Sequence, residues 1–315
     1  MKAAVLNHFG EAKALQIAHV DTPVPGDSEV LIRVIAAGIN PVDTKVRAGT
    51  SGISKRISLP AILGWDISGI IEATGKNVVA FQPGDEVFGC IGFPGLGKAY
   101  AEFTVARPEL LARKPDNISF EEAAAVPLAG LTAFQAVNEH LKVHSGQTVL
   151  IQAAAGGVGH LAVQLAKLNK AYVSGTASGK NRLFLASLGI DRVIDYTHEK
   201  FEELLDNLDA VLDAMGGEIL YRSISCVKPG GTVVCLPSST KDDPTATDLA
   251  KRHGVKLIWP MMYPDGKQMQ IIADLLEAER LKVHVDKVFP LDQIVQAHQA
   301  VESHDTRGKV VVKIG

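Results

Sequence analysis

The sequence predicts an α/β protein in two parts, a mostly-β first third and a doubly wound parallel-sheet middle, followed by a short tail of helix and strand. Three observations carry this expectation. The first third breaks into short apolar runs punctuated by Gly and Pro, the texture of strands joined by turns. The middle alternates apolar strands with helical stretches at the rhythm of βαβ crossovers. The length of 315 residues exceeds one ordinary domain and favours two.

Taken in order, Val30–Val34, Ile67–Ala73, Asp85–Cys90 and Tyr100–Val105 read as strands, with Gln82-Pro83-Gly84-Asp85 as a tight turn. At Ser119-Phe120-Glu121-Glu122 the pattern becomes a capping box that leads into an Ala-rich helical stretch, so a domain boundary is expected nearby. Strands then follow at Gln147–Ala153, Ala171–Thr176, Val193–Asp195, Ala210–Asp213 and Thr232–Leu236, with helical segments at Val158–Asn169 and Arg182–Leu188. The run Val255–Trp259 reads as a last, apolar edge strand. Such an edge is a liability unless paired across a homodimer. The tail gives an amphipathic helix with Met269, Ile272, Leu275 and Leu276 on one face, then Val283-His284-Val285, a second short helix and a closing strand Lys309–Ile314.

Composition narrows the classes of function. Hydrophobic residues at 46% and charged residues at 21% describe a globular chain able to build a core. A net charge of −3 with no basic run argues against a nucleic-acid or membrane-surface footprint. Cys90, Cys226 and Cys235 are too widely spaced for a disulfide framework or a C-x-x-C metal pair, which suits a reducing compartment. The first residues lack the apolar core of a signal peptide, and no apolar run is long enough to span a membrane, so a cytoplasmic location is expected.

The chemistry concentrates at one turn. Val149-Leu150-Ile151-Gln152 is a buried-strand run, followed at once by Ala153-Ala154-Ala155-Gly156-Gly157-Val158-Gly159 and a helix. Ala154, Gly156 and Gly159 have the spacing of the dinucleotide fingerprint, with Ala in the first place. Missing side chains let backbone N–H groups approach a pyrophosphate, and the helix start adds unpaired donors and a positive dipole end. A tight strand-to-helix packing turn would use the same glycines. The second strand does not end in the acid that accepts from the ribose 2′-hydroxyl of NAD. It runs instead into Thr176-Ala177-Ser178-Gly179-Lys180-Asn181-Arg182, hydroxyls and cations that suit the 2′-phosphate of NADP. A solvated helix start would also carry Lys180 and Arg182, but the helix dipole slightly disfavours cations in a first turn, which a ligand phosphate would account for.

Six blocks in order make the chain similar to the medium-chain dehydrogenase/reductases, in particular their zinc-independent NADPH:quinone oxidoreductase branch. They are Gly38–Asp43, Leu63–Gly69, Pro83–Gly89, Ala123–Ala133, the glycine turn and Arg307–Val311. The resemblance implies a GroES-like catalytic domain over residues 1–122, a Rossmann cofactor domain over 123–263 and a return to the catalytic domain over 264–315, with the active site in the cleft between. It places cofactor contacts at Asn40, Thr132, Gly156, Gly157, Val158, Gly159, Ser178, Arg182 and Tyr196; Thr176, Lys180 and Lys309 are further candidate cofactor contacts. Tyr196 matches a position near the adenosine 2′-phosphate, though a tyrosine closing the third strand would look the same.

Where zinc-dependent relatives carry a Cys and a His, this sequence has Asn40 and Trp65, and the four-cysteine structural lobe is missing. Without a Lewis acid, acceptors that spread charge by conjugation are expected, quinones or α,β-unsaturated carbonyls, with alignment supplying most of the catalysis. Asn40, Asp43 and Lys45 are the candidate catalytic residues, Lys45 as a donor to a developing enolate oxygen, although Asp43 and Lys45 would also serve as an ordinary ion pair. Trp65, Trp259, Met261, Met262 and Tyr263 are candidates for an apolar acceptor pocket, although large apolar residues more often form core. The expected function is thus NADPH-dependent hydride transfer to a quinone or similar conjugated carbonyl. The alternatives are a 2-alkenal or enone reductase and a cofactor-binding protein with little turnover. A small-molecule acceptor and a homodimeric partner are expected, with no metal, nucleic acid or membrane.

Overall fold

The computed structural model describes all 315 residues and divides them into two compact units. The first comprises Met1–Leu131 with Tyr263–Glu279 and Val283–Gly315; the second comprises Thr132–Met262 with Arg280–Lys282.

The first unit is built from β1 (Lys2–Leu6), β2 (Leu15–His19), β3 (Val30–Ile39), α1 (Pro41–Arg47), β4 (Ala61–Ile62), β5 (Asp66–Thr74), β6 (Glu86–Cys90), β7 (Phe103–Ala106), β8 (Leu111–Arg113) and α2 (Phe120–Ala124). The chain leaves it within α3 (Pro127–Phe134). The second unit holds β9 (Thr148–Ile151), α4 (Gly159–Leu168), β10 (Tyr172–Ala177), α5 (Arg182–Ser187), β11 (Arg192–Asp195), α6 (Phe201–Leu204), β12 (Leu208–Asp213), α7 (Gly217–Ser225), β13 (Val227–Cys235), α8 (Pro244–His253) and β14 (Lys256–Ile258). The first unit is completed by α9 (Gly266–Glu277), β15 (Val285–Pro290), α10 (Ile294–Glu302) and β16 (Lys309–Lys313).

In the first unit a seven-stranded sheet follows the order β15-β16-β3-β5-β6-β8 with β7 joined to β3, beside a three-stranded sheet β2-β1-β4. The long central strand β3 takes antiparallel partners in β5, β7 and β16, which brings residues from both ends of the chain to its last residues, Gly38 and Ile39. The tight turn forms as expected: Asp85 N–H donates to Gln82 O, its carboxylate accepts from Gln82 N–H at 2.9 Å, and Gly84 has a φ of 95°. The capping box also forms, Ser119 N–H to Glu122 and Glu122 N–H to Ser119 Oγ at 2.9 and 3.1 Å. Helix α9 buries Met269, Ile272, Ala273 and Leu276 and packs on β8; each large apolar side chain so buried contributes about 1.5–3 kcal/mol. One strand expectation moves. Tyr100 and Ala101 leave the sheet and cross to β1, Tyr100 O accepting from Ala4 N–H at 2.8 Å, so β7 starts only at Phe103.

In the second unit the six strands are all parallel, in the order β11-β10-β9-β12-β13-β14. The order reverses direction between β9 and β12. That is the Rossmann arrangement, whose ligand crevice lies beyond the carboxyl ends of the strands at the reversal. Leu150, Val211 and Val233 on the central strands are fully buried, with Leu220, Ile224, Ala246 and Ala250 of the flanking helices packed on them. The last strand is at the sheet edge, paired only to β13.

Candidate functional site

The glycine turn follows β9, where the fingerprint places it. Ala153 adopts a φ of 51°, a left-handed conformation uncommon for a residue with a side chain, and its carbonyl accepts from Gly156 N–H at 2.9 Å. A Cβ on Gly159 would meet Ala153 O at 2.3 Å, so only glycine lets α4 start this close to the strand. At the start of α4 the His160 and Ala162 N–H groups donate to Gly156 O and Val158 O at 3.1 and 3.0 Å, so the positive end of the helix follows directly on the glycine turn.

Under the turn runs a buried chain of hydrogen bonds. Thr176 Oγ1 donates to Gln152 Oε1 at 2.6 Å and accepts from Ala153 N–H at 3.2 Å; Gln152 Nε2 donates to Ser223 Oγ, and Ser223 Oγ to Asp213 Oδ2, both at 3.1 Å. Asp213 Oδ1 closes the chain by accepting from Met215 and Gly216 N–H at 2.8 and 2.7 Å, and burial pushes its carboxyl pKa up. Thr176, read from the sequence as a hydroxyl offered to the cofactor, is 4% exposed and turned inward to hold the turn.

The ends of β10 and β11 lie level, Ala177 opposite Asp195. Ser178 follows half-buried, its Oγ accepting from Asn181 Nδ2 at 3.1 Å, while Lys180 and Arg182 are exposed. Tyr196, 62% exposed, leaves β11 at the same level, its N–H donating to Ala177 O at 3.3 Å. Ser178, Lys180, Arg182 and Tyr196 are therefore brought together at two neighbouring strand ends. Thr132, on α3, lines a shallow cleft with Gln135, Leu236, Pro260 and Met262, next to a π-helical turn at Gln135–His140. Such turns are rare and frequent at functional sites.

In the first unit Asn40, Asp43 and Lys309 come together around Asp66, a residue that no local pattern in the sequence singles out. Asn40 precedes α1, and Asp43 reaches back to its N–H at 2.8 Å, a helix start with Pro41 in the first position. Asn40 Nδ2 donates to Asp66 Oδ2 at 2.9 Å, and its Oδ1 accepts from the Lys309 ammonium, which also donates to Ile39 O at 3.1 Å and lies 3.6 Å from Asp66. Asp66 Oδ1 accepts from Leu128 N–H at 2.8 Å. Burial pushes Asp66 up and Lys309 down, while each ion favours the charged form of the other. Asp43, fully buried, is raised to about 7 by loss of solvent. The Asn40 amide and Lys309 ammonium are thus spent on each other and on Asp66.

Lys45 is exposed on α1 and does not pair with buried Asp43; its carbonyl holds the following loop through Thr50 and Ser51 N–H. Trp65 is fully buried. Its Nε1 donates to Gly95 O at 2.8 Å and its ring meets Phe93 edge-on, so it clasps the short loop after β6 and belongs to the core. Met262 is buried, Trp259 half-buried, and Met261 and Tyr263 are exposed.

Against known proteins, the chain is 35% identical to the 2-methylene-furan-3-one reductase of Solanum lycopersicum across 99% of its own length and 79% of the relative's. Its backbone superposes on the quinone oxidoreductase from Coxiella burnetii with a TM-score of 0.95 at 36% identity, covering 100% of this chain and 99% of that one. The chain belongs to the quinone oxidoreductase branch of the medium-chain dehydrogenase/reductases. This quinone oxidoreductase relative also superposes on the Escherichia coli quinone oxidoreductase complexed with NADPH, with a TM-score of 0.89 at 27% identity over 99% of this chain and 100% of that one. The family model described as an alcohol dehydrogenase GroES-like domain matches residues 26–116, and that described as a zinc-binding dehydrogenase matches residues 188–312. The second description names zinc. No three of the chain's His, Cys, Asp or Glu side chains are placed to hold one metal ion, and beside Asp66 the cation is the Lys309 ammonium.

Proposed function

We propose that this oxidoreductase reduces a quinone, or the activated double bond of an enal or enone, with NADPH and without zinc. The observation that carries the reading is the second unit's strand, glycine turn and helix, joined to a second strand that is followed by Ser178, Lys180 and Arg182 where an acid would select NAD. The NADPH complex of the E. coli relative and the name of the tomato reductase support it. Gly156–Gly159 with the start of α4 would hold the pyrophosphate, and Ser178, Lys180, Arg182 and Tyr196 the 2′-phosphate. NADPH bound there supplies the hydride.

Asn40 and Lys309 act as positioning residues: their side chains fix the start of α1 and, through Asp66, the backbone at Leu128. Lys45, exposed on α1, remains the proposed donor to a developing oxyanion. Zinc independence rests on Asn40 and Trp65 standing at the ligand positions of zinc relatives. Conjugated acceptors follow, because they spread the developing charge and need less stabilisation at one oxygen than a plain carbonyl does. A homodimer paired through the edge strand β14 and a cytoplasmic location complete the reading; no helix is long and apolar enough to cross a membrane.

NADPH oxidation measured against quinones, 2-alkenals, enones and ethanal, with metal content on the same sample, tests it. Turnover with the conjugated acceptors in metal-free protein is expected. Turnover with ethanal alone, or loss of activity on chelation, overturns it. NADPH binding with no turnover across the panel would favour a cofactor-binding role.

A further inference from the structure

Two turns carry the residues read as 2′-phosphate ligands, and one carboxylate links them. Asp195 ends β11. Its Oδ1 accepts from Thr197 N–H and Oγ1 at 3.1 and 2.7 Å, and its own N–H donates to Glu199 at 2.8 Å, so the turn that presents Tyr196 is folded around it. Its Oδ2 faces the other turn: a Cβ built on Gly179 would meet it at 2.4 Å. Together the Thr197 groups and the Gly179 N–H hold the Asp195 carboxyl below the usual carboxylate range. Gly179 sits between Ser178 and Lys180 and has no need of a left-handed φ. What excludes a side chain there is the carboxylate itself.

We propose that Asp195 is a positioning residue for recognition of the cofactor 2′-phosphate, fastening the Ser178–Arg182 turn to the Tyr196 turn, and that residue 179 is glycine to admit it. The inference rests on the NADPH reading above. A negative charge this near a phosphate subsite would ordinarily repel the ligand. Here the carboxylate is turned onto backbone N–H groups and a hydroxyl, while Lys180 and Arg182 of the same turn are exposed.

Titration calorimetry with 2′,5′-ADP and 5′-AMP, which differ only in the 2′-phosphate, tests both levels. Wild-type protein is expected to prefer 2′,5′-ADP. Asp195→Ala and Gly179→Ala should each lower that preference about tenfold, as loss of one or two charge-assisted contacts would, with AMP affinity nearly unchanged. In the Asp195→Ala background Gly179→Ala should cost nothing further, because the group it collides with is gone. Asp195→Asn, which keeps an acceptor for Thr197, should recover part of the preference, and thermal melts show whether each variant is folded. Equal loss of both nucleotides, full preference in every variant, or the same cost of Gly179→Ala in both backgrounds overturns the proposal alone. A wild-type protein with no preference overturns the NADPH reading and the proposal with it.

Discussion

The two units bury polar networks of similar depth and compensate them differently. In the first, a carboxylate and an ammonium, Asp66 and Lys309, are paired through Asn40, and the partners come from opposite ends of the chain. In the second, the Thr176–Gln152–Ser223 chain is neutral and ends on the Asp213 carboxylate, which is satisfied largely by backbone N–H groups two and three residues on. Ionic compensation depends on both partners being present, since either alone is a buried charge. Neutral compensation is shared among several weaker bonds, so no single removal leaves a bare ion.

The largest expected effect comes from breaking the ionic pair. Lys309→Met leaves Asp66 without its cation and should cost about 3–5 kcal/mol of stability in urea unfolding, most of it recovered when Asp66→Leu is added. A single-variant loss below about 1 kcal/mol would show that the two networks are equivalent.

Acid sharpens the same contrast through His298. Its side chain is fully buried against Tyr100, neither ring nitrogen has a hydrogen-bond partner, and burial lowers it to about 3, with Arg47 acting in the same direction. Below the ordinary histidine value the unfolded chain takes up a proton that the fold refuses, so stability falls as pH drops from about 6.5 towards 3. Asp43, raised to about 7, acts with the opposite sign: the fold keeps a proton that the unfolded chain has lost, so its contribution is lost as pH rises from 3.8 through 7. His298→Leu should therefore lose about 3 kcal/mol less stability than the parent between pH 6.5 and pH 4, measured by urea midpoints at each pH. Equal slopes for the two proteins would mean that the imidazole is charged in the fold.

A smaller effect is expected in the neutral network. Gln152→Leu leaves Ser223 and Thr176 each short of a partner and should cost about 1–3 kcal/mol while raising the NADPH KM, because Thr176 holds Ala153 in the turn. A stability loss with KM unchanged would separate the network from the turn above it. Smallest of all, Lys45→Met on the exposed face of α1 should alter stability by less than about 0.5 kcal/mol, so any fall in kcat with conjugated acceptors reports on chemistry alone. Unchanged kcat with every acceptor removes the oxyanion role.

The contrast also explains what could be read in advance. The glycine turn, the capping box at Ser119 and Glu122 and the alternation of strand and helix are local: each is a relation among residues a few positions apart, which periodicity and spacing report directly. The start of α1 is equally legible in Asn40, Pro41 and Asp43, a capping residue, a proline at the first position and an acid that reaches back to the cap. The meeting of Asn40 with Lys309, separated by 269 positions, was not legible, because nothing local in either segment names the other.

From the sequence alone follow the two-part α/β architecture, the strand, glycine turn and helix for a dinucleotide, and cations in place of an acid at the end of the second strand. Backbone sterics and hydrophobic period act over one or two turns of chain, so they are written locally. Only the tertiary structure decided which polar side chains are spent inside the fold, Asn40, Lys309 and Thr176 among them, and which stay at the surface, Lys45 among them. That choice depends on which distant group arrives to satisfy a buried donor or acceptor. It exists only once the sheet has brought β16 beside β3 and β11 beside β10.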